Sequence, residues 1–393
     1  MPRPTQTFAD PVLITTTDAL AALCARLRAE PYVTIDTEFM RERTYYPELC
    51  VVQLAGVSDV AVIDAEAAGI DLAPLGELLA DTAVVKVFHA ARQDVEIFLE
   101  LFGQVPAPIF DTQVAAMVAG FGDQVGYDAL VSSLTGGHID KAHRFSDWSA
   151  RPLSPAQVTY AAADVTYLRG VYERLRDRLG RDGRMEWVAE EMAVLAIPET
   201  YRPHPDTVWE RLRPRTGNRR MLGMLRAAAA WREREAQRVN IPRGRLLKDE
   251  SLLEIAAVAP TTAEALSRIR GVNRGFAEGK SGIGLVAALQ AAAALPDDAL
   301  PEAPGRSDGP RPSPALVSLL KVLLQAKCEE HNVAPKLLAN SGDLDRLATE
   351  DAPDIAVLLG WRRDVFGADA LLLKAGGITL GVDGKRIKLV RVQ

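Results

Sequence analysis

At 393 residues, 48% hydrophobic and 25% charged, the chain has the make-up of an ordinary globular protein and the length for two or three domains, each with its own core. Its three cysteines, Cys24, Cys50 and Cys328, stand far apart without C-x-x-C spacing, which excludes a disulfide framework or a cysteine zinc site and points to a reducing compartment. A formal net charge of -6 argues against a nucleic-acid partner by its sum but not by its distribution: from Trp209 to Lys248 eleven Arg and one Lys stand against three Glu, a local +9 that leaves -15 elsewhere.

The N-terminus lacks the charged start and apolar core of a signal peptide, and no apolar run has the length of a membrane span, so a soluble cytoplasmic protein with no membrane partner is expected. A capped helix is predicted from about Thr17 to Arg28. Three short strands follow, YVTIDTEF, LCVVQLAG and VAVID, whose tight connections suggest an antiparallel meander. VVKVFH reads as a further strand, and helices are predicted from near Arg92 to Phe102, from Asp111 to Val118 and from Asp128 to Leu134. Ser154-Pro155 makes a strong helix start, since Ser caps and Pro is tolerated in the first turn, and the pattern runs on to about Leu179. Beyond Arg184 strand signals cease, and Ala- and Leu-rich amphipathic segments run from Trp209 to about Leu295. The Pro-, Asp- and Gly-rich stretch 296–314 reads as an exposed linker. A mainly helical unit follows from Ala315 to about Gly367, and Asp383-Gly384 between two alternating runs suggests a terminal hairpin.

Chemistry enters at YVTIDTEF. Asp36 and Glu38 are two apart, so the period of a strand puts both carboxylates on one face, where a shared divalent cation would offset their repulsion. Two solvated carboxylates at an exposed strand end would read the same. Asp94 falls in the first turn of the helix after VVKVFH, a place a carboxylate also occupies for the helix dipole alone. Tyr160 and Asp164 are four apart on the helix starting at Ser154, hence on one face. His89 reads as a residue satisfying backbone groups at a strand end, and Asp111 as a helix cap. The basic segment 209–248 is either a solvated helix face or a surface that follows phosphates.

The order DTEF, HAARQD and YAAAD resembles the three exonuclease motifs of the DEDD nuclease superfamily, and Tyr-x-x-x-Asp in the third motif, with Thr159 where the histidine branch has His, places the resemblance in the tyrosine branch. The strings DTEFMRERTYYPELCVVQLA, FDTQVAA and SDWSARPLSPAQVTYAAADVTYL are similar to ribonuclease D in particular. MLGMLRAAAAWREREAQRVNIPRGRLLKDESLLEIA with LSRIRGVNRG resembles an HRDC domain. The resemblance implies an α/β RNase H-like exonuclease core, a mixed sheet flanked by helices, over 1–186. It further implies an HRDC domain over 209–295, a linker over 296–314 and a second HRDC-like helical domain over 315–393. It also implies catalysis by Asp36, Glu38, Asp94, Tyr160 and Asp164. The four carboxylates would hold two divalent ions, Mg²⁺ or Mn²⁺, with Asp36 bridging them and Tyr160 holding the attacking water. Lys141 is a candidate phosphate contact, although Ala142 stands where the family often has Ser. The implied activity is trimming of tRNA precursors and other structured RNA from the 3′ end, releasing 5′-mononucleotides, with no stable protein partner. A DNA exonuclease with the same carboxylates and an inactive RNA-binding scaffold are the alternatives.

Overall fold

The computed structural model describes residues 10–140, 142–144, 146–214, 216–302 and 312–392. The chain divides into two units: Met1–Glu38, Leu49–Pro198 and Pro310–Gln393 form one, Phe39–Glu48 and Glu199–Gly309 the other. The exonuclease part of the first begins with β1 (Val12–Ile14), α1 (Thr17–Leu27), β2 (Tyr32–Met40), β3 (Glu48–Ala55) and β4 (Val60–Asp64). It continues through α2 (Ala73–Ala80), β5 (Val85–Phe88), α3 (Arg92–Phe102), β6 (Ile109–Asp111), α4 (Thr112–Val118), α5 (Tyr127–Thr135), α6 (Pro155–Arg181) and α7 (Met185–Leu195).

Six strands form one sheet in the order β1-β4-β3-β2-β5-β6. β3 and β4 pair antiparallel, as the meander expectation requires, whereas β1 on β4, β2 on β5 and β5 on β6 are parallel, so the sheet is mixed. The central strands read as near-continuous apolar runs because helices cover them: Val33, Ile35, Val51, Val52, Leu54 and Ile63 are fully buried. Polar residues are buried with them, among them Thr34, Gln53 and Lys86. Lys86 in β5 is wholly inaccessible, and its Nζ donates to the carbonyls of Val84 (2.7 Å), Asp81 and Ala107, tying the strand to the turns at its foot. Burial lowers its pKa to about 8.

The second unit holds α8 (Arg219–Val239), α9 (Arg243–Leu246), α10 (Asp249–Val258), α11 (Ala263–Ser267), α12 (Arg274–Glu278) and α13 (Lys280–Ala293) around a core that includes Leu222, Leu225, Leu252, Ile255, Leu266, Leu285 and Leu289. Much of the basic segment is spent internally. Arg219 donates to Leu300 O (2.7 Å), Arg220 to Leu295 O and Asp297, Arg226 to Ala299 O, and Arg232 to Leu247 O. Arg234, Arg238 and Arg243 pair with Asp206, Glu235 and Glu233. The same contacts hold down the head of the expected linker, where Leu300 is buried, while residues 303–311 lie outside the described residues. The short segment Phe39–Glu48 belongs to this unit. Tyr45 donates its hydroxyl to Glu233 and accepts from Gln237 and Arg243, and Asn240 Oδ1, at the left-handed C-cap of α8, accepts from the N–H groups of Tyr45 (3.0 Å) and Tyr46 (3.1 Å).

The C-terminal part of the first unit is α14 (Pro314–His331), α15 (Pro335–Leu338), α16 (Ser341–Thr349) and α17 (Gly360–Arg362). A π turn over Arg363–Gly367 then leads into α18 (Ala368–Lys374), and a hairpin of β7 (Ile378–Asp383) and β8 (Arg386–Arg391) closes the chain. It packs on the exonuclease part. Trp187 of α7 stacks on Trp361 with centroids 4.7 Å apart, and Glu191 accepts from Trp361 Nε1 (3.0 Å) and Arg362 (2.7 Å). Such a stacked pair, beyond the area it buries, is worth about 0.5–1.5 kcal/mol. No helix among the described residues is long and apolar enough to cross a membrane.

Candidate active site

The two faces of β2 address different helices. Its even positions turn to α6: Thr34 Oγ1 lies 2.8 Å from Val165 O and 3.1 Å from Ala55 O, and two and four residues on, Asp36 and Glu38 share that face. The odd position Thr37 is buried and donates to Asp94 Oδ1 in the first turn of α3. The strand therefore presents carboxylates on one side and grips a third on the other.

α6 begins as its sequence requires. Ser154 and Gln157 complete a capping box with Pro155 at the first position, an arrangement whose cap alone is worth about 1 kcal/mol. Two turns in, Tyr160 and Asp164 face the same cleft as Asp36 and Glu38, with Thr37, His89, Tyr127 and Arg144 completing its wall. The cleft encloses about 410 Å³. Tyr160 is braced by edge and tilted contacts with His143 and Trp148, each with ring centroids 6.0 Å away. Thr159, the residue before it, bonds back to Pro155 O and is exposed.

Of the five expected site residues, Asp36, Glu38, Tyr160 and Asp164 are thus brought to one cleft. Asp94 is not on its wall. At 6% exposure it lies behind Thr37, close enough that its charge and that of Asp36 disfavour each other. Lys141 is outside the described residues. Asp111 caps α4, accepting from Gln113 N (2.8 Å) and Val114 N, and its carboxylate also takes the N–H groups of Ala90 (3.0 Å) and Ala91 (2.9 Å). One side chain thereby holds the turn that opens α3 and aims Asp94. His89 faces the cleft, with Nδ1 3.0 Å from Thr112 Oγ1, and burial keeps its pKa low, so it stands as a neutral ring.

Several of these residues escape sequence reasoning. Tyr127 is half-buried, contacts the His89 ring at 5.3 Å, and donates to the backbone carbonyl of Asp164. Its place at the start of α5 carries no periodic signal; only the pairing of an aromatic with a helix start hints at it. Thr34 and Thr37 look like ordinary strand threonines, and Arg144 like a surface cation.

The electrostatics are those of a site that lacks internal compensation. Burial first, then the charges of Asp36, Asp164 and Asp94, raises the Glu38 pKa to about 9. Burial raises Asp164 to about 7, and burial followed by the Asp164 charge pushes Asp36 well up. Tyr160 rises too, from burial and from Asp164, which keeps its proton on at neutral pH. Among the described residues no three acidic, histidine or cysteine side chains close around one point as a preformed metal cage. The donor set still fits hard divalent cations: the oxygens are carboxylate, they converge on one cleft, and their mutual repulsion is what such a cation relieves.

Residues 11–180 match the model of a 3′-5′ exonuclease family and residues 221–289 that of the HRDC domain. A Granulibacter bethesdensis protein named ribonuclease D is 73% identical over 384 residues, 98% of this chain and 97% of its own. One of the same name from Gluconacetobacter diazotrophicus is 70% identical, covering 98% of each. Among solved structures, Escherichia coli RNase D, described as an exoribonuclease involved in structured RNA processing, superposes with a TM-score of 0.78 at 30% identity, covering 94% of this chain and 99% of that one.

Proposed function

The chain belongs to the ribonuclease D family of 3′ to 5′ exoribonucleases, and from that premise we propose that the cleft of Asp36, Glu38, Tyr160 and Asp164 is where it removes nucleotides from RNA 3′ ends. It is a phosphodiester hydrolase that acts on RNA and uses divalent metal ions. The proposal adds tRNA precursors and other structured RNA as substrates, 5′-mononucleotides as products, two ions of Mg²⁺ or Mn²⁺, and a cytoplasmic setting. The division into an exonuclease domain (1–186), an HRDC domain (209–295), a linker (296–314) and a second HRDC-like domain (315–393) is proposed on the same footing.

The observation that carries it is the convergence of three carboxylates and one tyrosine from β2 and α6 on a single cleft. Asp36, Glu38 and Asp164 would hold the ions, with Asp94 supporting them from behind Thr37. Bound divalent ions supply neutralisation of the phosphate charge and lower the pKa of water. The chain's own groups do the rest. Tyr160, its proton retained, orients water as donor and acceptor instead of removing a proton. Arg144, on the cleft wall, is the cation placed to meet a phosphate oxygen.

Tyr160→Phe keeps the ring contacts with His143 and Trp148 and deletes one hydroxyl. We expect kcat to fall roughly 10- to 100-fold, about 1.4–2.8 kcal/mol, with metal affinity unchanged by calorimetry. Turnover at the parental rate would leave Tyr160 a packing residue. The substrate assignment is tested by offering a 3′-extended tRNA, an unstructured oligoribonucleotide and the matching DNA strand in parallel. The tRNA should be trimmed with the highest kcat/KM and the DNA with the lowest; equal values for all three would remove the tRNA reading.

A further inference from the structure

Seven of the cations at 209–248, Arg219, Arg220, Arg226, Arg232, Arg234, Arg238 and Arg243, are bonded to carbonyls or carboxylates of their own unit. A different cluster is not held in this way. Between Gly376 and Val392 the chain carries Lys385, Arg386, Lys388 and Arg391 against the single acid Asp383. All four cations are exposed, and among the described residues none of them enters an ion pair or side-chain hydrogen bond.

The hairpin holds them in fixed places. β7 and β8 pair over six residues, from Ile378↔Arg391 to Asp383↔Arg386, and Val392 N bonds back to Gly377 O at 3.0 Å. Cross-strand partners share a face, so Ile378, Leu380 and Leu389 form the face that packs on the C-terminal core. Arg386 and Lys388 stand on the opposite face, about 6–7 Å apart along the strand, with Asp383 across from Arg386, whereas Arg391, the partner of Ile378, lies on the packed side. Lys388 is opposite Gly381, which has no side chain to cover it. Lys385 sits beside Gly384, whose positive φ of 61° makes the two-residue turn. The packed face extends past the core into Val382 and Ile387, and Val382 is 77% exposed, so the tip of the ribbon projects into solvent.

We propose that this ribbon is a contact surface for the sugar-phosphate backbone of the double-stranded part of the RNA substrate. It rests on the reading that the substrate is structured RNA. Exposed cations outside any ion pair among the described residues, in a chain of net charge -6, are complementary to a polyanion. The A-form helix offers such a ribbon its wide, shallow minor groove, lined by phosphates and 2′-hydroxyls. The ribbon grips the duplex body and has no part in hydrolysis.

The test uses the full chain carrying Asp36→Asn to prevent cleavage, with and without the triple change Lys385→Gln, Arg386→Gln and Lys388→Gln. Binding is followed by fluorescence anisotropy against salt, on an RNA hairpin with a single-stranded 3′ tail and on the tail alone. The triple variant should bind the tailed hairpin roughly tenfold to hundredfold more weakly, with a log-log salt slope smaller in magnitude by about 2, and bind the tail as before. Thermal unfolding at an unchanged Tm establishes that the exposed changes leave the fold alone. If the parent prefers the tailed hairpin and the triple variant keeps that preference and slope, the ribbon assignment is overturned while the structured-RNA reading stands. If the parent shows no preference between the two RNAs, the structured-RNA reading falls and takes the ribbon with it. Equal loss on the tail alone also overturns the assignment, because the ribbon would then be acting on the strand that is cut.

Discussion

Asp36→Asn is expected to reduce RNA trimming by roughly 10³-fold or more, about 4 kcal/mol of transition-state stabilisation, while leaving the protein folded. Asp36 sits at the middle of the acidic cluster. It lies two residues from Glu38 on the same face of β2, its charge is coupled to Asp164 across the cleft, and it raises the pKa of Asp94 behind the strand. Glu38 is likewise coupled to the three other carboxylates, so the loss of Asp36 should be among the most damaging single changes. The fold should not suffer, because burial and the Asp164 charge both disfavour the ionised Asp36. Removing that charge relieves the native state, so the Tm without added metal should be equal to the parental value or higher. Initial rates on a 3′-labelled RNA and a circular dichroism melt measure the two halves. A variant that keeps more than about a tenth of the parental rate would show that Asp36 is not the centre of the site.

Removing divalent metal should abolish hydrolysis, and restoring it should stabilise the protein with a definite pH dependence. Without ions, the folded carboxyls hold protons that the unfolded chain has already released, so the native state is penalised as pH rises. For Asp164 the penalty grows from the ordinary 3.8 to about 7, and for Glu38 from 4.5 to about 9. Stability of the metal-free protein should therefore fall across this window. A cation that binds the ionised cluster stabilises most where that cluster is otherwise most strained. Saturating Mg²⁺ or Mn²⁺ should raise Tm by about 5 °C or more at pH 8 and by clearly less at pH 5. Calorimetric melts with chelator and with metal at both pH values decide it. An equal shift at both, or a larger one at pH 5, would mean that the ions bind elsewhere or through other groups.

What sequence reasoning recovers here, and what it misses, follows from the range of the forces involved. β2 and α6 are legible because their signals are local: an apolar strand with alternating carboxylates, and a Ser-Pro start with Gln157 in place for a capping box. The gathering of Asp36, Glu38, Tyr160 and Asp164 follows once those two elements pack together, though only the order of three motifs hints that they do. β1 and β6, three residues each, are too short to carry a period, and they exist because a neighbouring strand offers a parallel edge. Lys86 reads as a polar strand residue because the three carbonyls that receive its amine come from the 81–84 turn and from Ala107 further along the chain. Asp111 is legible as a cap of α4, but not as the clamp on Ala90 and Ala91 twenty residues upstream. Charge is the property least legible from local sequence. A count of arginines from 209 to 248 measures potential, not availability, and the partners that consume it are scattered from Asp206 to Leu300.

The allotment of Phe39–Glu48 to the helical unit also bears on the order in which the molecule can be made. As the chain is synthesised, the segment holding Tyr45 emerges early, yet Glu233, Gln237 and Asn240 that receive it are nearly two hundred residues away. The first unit in turn has to wait for Pro310–Gln393, so that Glu191 is left without Trp361 and Arg362 until 170 and 171 further residues are made, and Trp187 lacks its stacking partner Trp361 as long. Neither unit can reach its final packing as a contiguous stretch leaving the ribosome, contrary to the usual domain-by-domain sequence. A half-made chain of this enzyme is thus left with an unclasped loop after β2 and an α7 helix whose Trp187 lacks its stacking partner.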